Sequence, residues 1–256
     1  MHASRLSLEA APLAGIPAIE PGADLAALIA DAATRTGVKI QGSDVLVVAQ
    51  KAVSKAENRL RALDDVVPSD RARGLGAKLD KDPRLVQLIL DESTDVVRAE
   101  HGVLITRTRL GHVCANAGID SSNVPGGLVS LLPENPDRSA RHLRAQLRDR
   151  LGEVPAVVIS DSFGRPWRLG QTDVAIGCAG LTPLDDRRGH LDSFGHELQA
   201  TLLAVADEAA AAAGLVRTKE GREAVVVVKG LDRYVTEPDG PGAAALLRPR
   251  EDDLFG

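Results

Sequence analysis

Two stretches of the chain concentrate side chains able to do chemistry, and each follows an apolar, strand-like run. The first is 113–124, VCANAGIDSSNV, where small residues allow tight turns around Asp120 and Asn123. The second is 159–173, ISDSFGRPWRLGQTD, where Asp161 stands at the carboxyl end of a buried strand, the place where open α/β sheets gather ligands. Aspartates brought together from separate loops supply hard oxygen ligands suited to Mg²⁺ or Mn²⁺ with bound phosphates. Ser162 can add a hydroxyl, and Arg165 and Arg168 stand close by to receive phosphate or carboxylate oxygens. The plainer reading is equally open: Asp120 can serve an Asx turn or a helix cap, and Asp161 can cap whatever follows its strand. Lys51 and Lys55, four apart, would share one face of a helical turn and could clasp a polyphosphate, or could simply be solvated. Lys219, between an Ala-rich helix and the last strand, carries the same two readings. His190 and His196 border Asp192 and Glu197 and read as loop and helix-start residues. Cys114 and Cys178 sit among Ala and Gly, as small buried thiols do.

Several large enzyme classes are excluded by what is missing. No G-x-x-x-x-G-K-[ST] loop occurs, and no G-x-G-x-x-G follows a strand. Cys and His lack zinc spacing, and no serine lies in a G-x-S-x-G elbow. With 31 Lys+Arg against 36 Asp+Glu, the formal charge of −5 argues against bulk nucleic-acid binding, although a local basic patch can still hold a phosphorylated small molecule. Aromatic residues make up 2% of the chain, too few for a base-stacking platform. No stretch approaches the ~20 apolar residues needed to span a bilayer, and the first residues lack the apolar core of a signal peptide. A soluble, cytoplasmic protein with reduced thiols, binding neither membrane nor nucleic acid, is the expectation.

The elements that must position these groups are legible as alternating strands and helices, a mixture of α/β or α+β type. Strands are predicted at 44–49 (DVLVVA), 102–106 (GVLIT), 155–160 (PAVVIS) and 224–229 (AVVVVK), all short and mostly β-branched. Helices are predicted at 24–34, 84–92, 139–151 and 197–213, with Gly37, Gly152 and Gly214 as stop signals. Charges and Pro68 between 60 and 84 suggest a boundary between subdomains, and the Gly/Pro-rich stretch 237–242 ends the main body.

Taken together, the motifs resemble the coenzyme F420-0:γ-glutamyl ligases. The resemblance runs over nearly the whole chain and its parts occur in family order: 15–25 (GIPAIEPGADL), 44–59 (DVLVVAQKAVSKAENR), 113–124, 131–140 (LLPENPDRSA), 159–181 and the terminal AVVVVKG. CANAGID.SNV and SD.FGRPWR.GQTDVAIG are long and unusual enough to be specific. The resemblance implies an α+β fold, with mixed sheets and flanking helices in two interwoven subdomains of a single ligase domain. It also implies a homodimer, GTP as co-substrate and two divalent ions, Mg²⁺ or Mn²⁺. On the same ground Asp120 and Asp161 would hold one metal and Ser162 would help hold the second. Asn123, Lys55, Gln50 and the neighbouring Lys51 would contact GTP, which the backbone of Ile16, Pro17, Ala18 and Ile19 would border and the segment at Lys219 would reach. This sequence departs from the family pattern at Ala49, Gln50, His112 and 218–221, and no nitroreductase-like domain is expected.

The reaction so implied adds L-glutamate to coenzyme F420-0. GTP would phosphorylate the acceptor carboxylate, and the amine of glutamate would displace phosphate from the acyl phosphate. Asp173 and Glu197 are the candidate proton acceptors, and Arg165 and Arg168 are expected to line a locally positive cleft with Lys51 and Lys55. Trp167 is expected to contact the deazaflavin or shape its loop. The other readings are an amino-acid ligase acting on a different carboxylate and a non-catalytic deazaflavin- or nucleotide-binding protein.

Overall fold

The computed structural model describes residues 7–122, 124–218 and 223–253. Strand β1 (Glu9–Pro12) leads to helix α1 (Leu25–Thr36), which Asp24 caps by accepting the Ala27 N–H at 2.9 Å. Strand β2 (Val45–Ala49) runs straight into α2 (Gln50–Ala56). There follow β3 (Leu60–Ala62), α3 (Asp70–Leu79), α4 (Pro83–Asp91), β4 (Ser93–Glu100), β5 (Val103–Thr108), β6 (Val113–Ala115) and β7 (Leu128–Ser130). Helix α5 (Pro136–Leu151) starts at an Asn135 cap and a favourable first-turn proline, then stops at left-handed Gly152. The rest comprises β8 (Ala156–Arg165), β9 (Arg168–Ala179), β10 (Asp185–Asp186), β11 (Leu202–Leu203), α6 (Val205–Val216) and β12 (Val225–Lys229).

Five strands form one mixed sheet in the order β1-β12-β2-β8-β9, in which only β2 and β8 run parallel. Its central strands read as unbroken Val/Ile runs because both faces are covered. Leu46, Val48, Val157 and Ile159 point into a core with α1 and α5, whereas Val45, Val47, Ala156 and Val158 point into a second core beneath α6. Alanines 206, 209, 210 and 213 of α6 are all buried, so small side chains let that helix lie close on the sheet. A third core, with Val86, Ile89 and Leu104, lies among α3, α4 and the antiparallel sheet β4-β5-β6. This is the α+β architecture of sheets with flanking helices expected above, although only the five-stranded sheet is mixed and the other three are antiparallel. Among the described residues no helix is long and apolar enough to cross a membrane.

Three expectations are corrected. The helix predicted at 197–213 begins only at Val205, because the backbone before it pairs with 187–190 instead: Gly189 N–H donates to Leu198 O at 2.9 Å and Leu198 N–H to His190 O at 2.8 Å. Gly214 is no stop signal. It lies inside α6, where an added Cβ would come within 3.1 Å of the Asp173 carboxyl carbon. The segment 159–173, read as loop chemistry after a strand, is almost all strand: β8 and β9 continue as a hairpin beyond the buried sheet, with Phe163 and Val174 still packed partly against the first core and the remaining positions more exposed.

Candidate functional site

The parallel pair fixes the site. Ala49 at the carboxyl end of β2 lies in register with Ser160 of β8, so both strands deliver their following residues to the same edge. From β2 come Gln50 and Lys51, from β8 Asp161 and Ser162, from β9 Gln171 and Asp173, and from the end of α6 Arg217 and Thr218. Asp120 and Ser122 close the far side of a cleft of about 520 Å³. This is the strand end at which α/β sheets usually bind ligands.

Asp120 reaches the cleft through a strained turn. Asn116, Ala117 and Gly118 are all left-handed, with φ of 53°, 54° and 71°. A non-glycine residue there costs roughly 1–2 kcal/mol, a strain typical of functional segments. Gly118 also fits where a Cβ would stand 2.7 Å from the Leu132 side chain. Backbone pairing with Ser130 then locks Asp120, its N–H donating at 3.1 Å and its carbonyl accepting at 2.8 Å. Its carboxylate accepts from the Ser122 N–H at 2.6 Å and the Ser122 hydroxyl at 2.9 Å, which is the Asx turn of the plainer reading. It also faces Lys51 Nζ at 2.5 Å. Partial burial opposes ionisation, yet the Lys51 and Ser122 donors outweigh it and hold this carboxyl below the usual range. Turn and charged cleft residue are therefore one and the same.

Asp161 behaves in the opposite way. Burial first, then the negative charges of Asp173 and Asp120, push its carboxyl up to about 7, against the attraction of Lys51. Three carboxylates thus share one cleft with Lys51 and Arg217 as the neighbouring cations. Their oxygens and the Ser162 hydroxyl make a hard, all-oxygen donor set, the chemistry that suits Mg²⁺ or Mn²⁺. Among the described residues, no group of three or more His, Cys, Asp or Glu side chains is gathered closely enough to hold an ion unaided.

The remaining expected residues divide. Gln50 lines the cleft; its amide N–H₂ donates to Ser54 Oγ at 2.6 Å and Leu131 O at 3.1 Å, while its Oε1 is buried without a partner. Lys55 lies one turn along α2, outside the lining, and burial followed by Lys51 pulls its pKa down. Ile16 is buried in the core with α1, Ile19 packs partly against it, and Pro17 and Ala18 are exposed; none lines the cleft. Arg165 and Arg168 ride the projecting hairpin to its tip, where the Arg165 guanidinium donates to Leu169 O at 2.6 Å, so neither reaches the lining. Trp167, at the same tip, is 80% exposed, and Glu197 lies in the excursion before α6. Asn123 and Lys219 lie outside the described residues. Cys114 and Cys178 are buried free thiols, each pushed up to about 12 by burial, and hence inert.

Arg217 was not foreseen. It is a single arginine after an Ala-rich helix, with no motif around it, yet it donates to Ser160 Oγ at 2.8 Å, Asp173 Oδ2 at 3.0 Å and Val47 O at 2.7 Å. Ser122, inside the CANAGID.SNV motif but given no role there, also borders the cleft, as does Glu223, which has no sequence signal of its own.

Residues 15–230 match the family model described as F420-0:Gamma-glutamyl ligase. The chain is 44% identical over 243 residues to the coenzyme F420:L-glutamate ligase of Methanothermobacter thermautotrophicus, covering 94% of this chain and 96% of that protein. It is 45% identical over 240 residues to the Methanopyrus kandleri protein of the same name, covering 93% of each. The like-named Haloarcula marismortui protein is 41% identical over 254 residues, covering 96% of this chain and 95% of that one. Similarity of this extent takes in both strands that build the cleft and the turn that carries Asp120, and this chain belongs to the F420-0:gamma-glutamyl ligase family.

Proposed function

We propose that this protein joins L-glutamate to coenzyme F420-0 through an amide bond, using GTP to activate the acceptor carboxylate. The observation that carries this reading is the convergence of Asp120, Asp161 and Asp173 with Lys51 and Arg217 at the carboxyl ends of β2 and β8. The description of the family model supplies the acceptor and the names of the relatives the amino acid.

The chemistry proceeds in two transfers. The acceptor carboxylate attacks the γ-phosphorus of GTP, the bond to the β-phosphate oxygen breaks, and GDP leaves. The glutamate amine then attacks the acyl phosphate and expels inorganic phosphate, with one proton lost from nitrogen. Such transfers depend on placing anions together and offsetting their charge. Asp120 and Asp161 are the residues that would hold one divalent ion, Mg²⁺ or Mn²⁺, and Ser162 a share of the second. Bound there, the ions supply charge neutralisation at phosphoryl oxygens. Lys51 keeps Asp120 oriented and, with Lys55, adds donors on the nucleotide side, where Gln50, its amide N–H₂ already engaged, offers Oε1 as an acceptor. Asn123, Lys219 and the backbone of 16–19 complete the proposed GTP contacts. Asp173 is already engaged by two donors, which leaves the proton acceptor for the amine unassigned among the cleft residues.

A second copy of the chain is part of the proposal. Trp167, Leu169, Leu191 and Phe194 are 80%, 96%, 68% and 86% exposed, an apolar pair on the hairpin tip and another on the excursion before α6. Exposed apolar groups of this size suit a homodimer interface. The reduced, buried cysteines accord with a cytoplasmic setting. The nucleotide reading is tested by GDP release over many turnovers, which should require F420-0, L-glutamate and a divalent ion together. Glutamyl transfer proceeding equally well without GTP would overturn it.

A further inference from the structure

Asp173, like Asp120, has both carboxylate oxygens taken, but its partners are the Ser162 hydroxyl and the Arg217 guanidinium. Oδ1 accepts from the Ser162 hydroxyl at 2.6 Å, and Oδ2 accepts from Arg217 Nη1 at 3.0 Å. The pair Asp173–Arg217 is well shielded, with 13% and 12% of the side chains exposed. Ser162 and Asp173 face each other directly across the β8–β9 ladder. Arg217 is pinned in turn to Val47 O and Ser160 Oγ, so the guanidinium ties the carboxylate to β2 and β8 alike. Gly214 completes the seat, since any larger residue on α6 would press on the carboxylate.

A carboxylate of this kind can only accept, so the Ser162 proton must point at Asp173. The hydroxyl lone pairs are then left for a group in the cleft. We infer that Asp173 is a positioning residue that fixes the Ser162 hydroxyl rotor with its oxygen presented to a divalent cation, and that Gly214 and Arg217 exist to hold Asp173 there. Without Asp173, Ser162 could turn its proton toward the cation or swing onto another rotamer. Partners behind a ligand that orient it in this way typically govern metal affinity by about 10–100-fold. The inference rests on the metal reading of Ser162 above and adds the reason that a weak ligand such as a serine hydroxyl can serve.

Mn²⁺ titration followed by electron paramagnetic resonance, on the full-length protein without nucleotide, tests it. Asp173→Asn should weaken Mn²⁺ binding about 10-fold or more, and Gly214→Ala should weaken it by a smaller factor. Ser162→Ala should weaken it as well, and Ser162→Thr should restore it. The deciding step is the double variant: in the Ser162→Ala background, Asp173→Asn should add less than about a further 2-fold, because its effect passes through Ser162. Circular dichroism and thermal midpoints of each variant separate loss of binding from loss of fold, and Gly214→Ala, which keeps every polar group, serves if Asp173→Asn unfolds. Equal losses from Asp173→Asn in both backgrounds, or none in the wild-type background, would overturn the inference and leave the metal reading standing. Wild-type protein that binds no Mn²⁺ would overturn both.

Discussion

The two halves of the β8–β9 hairpin obey opposite rules. In the near half, Ala156 to Ser160 and Ala175 to Ala179 are buried, and their side chains alternate between two dry cores. In the far half, from Asp161 round to Val174, nearly every residue is partly or fully exposed and polar groups dominate. The change occurs at a β-bulge, where Ile159 pairs with Gly177 but Ser160 pairs with Ala175, leaving Ile176 extra. Side chains from outside the ladder brace the bulge. Asp207 of α6 accepts the Ala175 N–H at 2.8 Å, and the His112 ring donates to the Ile176 carbonyl. His112 also packs edge-on against Phe163, with ring centroids 6.0 Å apart. The lesson is that a ladder can serve as core and as site in succession, provided the join is clamped, and the cleft carboxylates start immediately beyond that clamp.

The sharpest way to break the comparison is to exchange its rules. Asp161→Ala, just past the bulge, should lower glutamyl transfer by about 1000-fold or more while the circular-dichroism spectrum stays native. Asp120→Ala should do the same. Turnover near wild type in either variant would remove these residues from the site. In the near half the effect should reverse: Ile159→Ala should cost about 2–5 kcal/mol in urea unfolding, whereas Leu169→Ser at the tip, compared at protein concentrations that leave the chain monomeric, should stay within about 0.5 kcal/mol. A tip substitution as costly as the core one would show that the far half is not a projecting element in the free chain.

The clamp itself should give a smaller, intermediate effect. Asp207→Ala leaves the Ala175 N–H without its partner and should cost about 1–3 kcal/mol, with Asp207→Asn recovering much of the loss because its amide oxygen can still accept. The last effect is smaller still and depends on pH. Burial pulls the His112 pKa below its ordinary 6.5, with the Asp137 charge and the Ile176 carbonyl opposing. A depressed histidine stabilises the fold above the unfolded value and ceases to do so as pH falls through the folded one. Urea midpoints should therefore drop between pH 7.5 and pH 5, and His112→Gln should flatten that part of the drop. An unchanged slope would dissociate His112 from the bulge.

Much of this arrangement could be read from the sequence because burial on both faces writes itself as Val/Ile runs. The strands at 44–49, 155–160 and 224–229 are legible for that reason, and they lie side by side in one sheet. Gly37 and Gly152 end their helices as expected, whereas α5 starts at Pro136, three residues before the predicted 139. The far half of the hairpin carries no such mark, since it packs only Phe163 and Val174 partly against the core and its remaining positions are mostly polar or exposed. The late start of α6 was hidden because 197–204 pairs with 187–190 through backbone atoms that any sequence possesses. Asp120 and Asp161 could be singled out from their strand-end positions. Arg217 could not, because its meaning depends on the carboxylate that Gly214 allows to approach.

The central claim is that the cleft beyond the bulge performs glutamyl transfer, and mass spectrometry of the deazaflavin tests it most directly. Incubated with F420-0, L-glutamate, GTP and Mn²⁺, the wild-type protein should convert the coenzyme to species heavier by one or more glutamyl units, and Asp161→Ala should leave it unchanged. A coenzyme of unaltered mass in the wild-type reaction, with no GDP formed, would contradict the account.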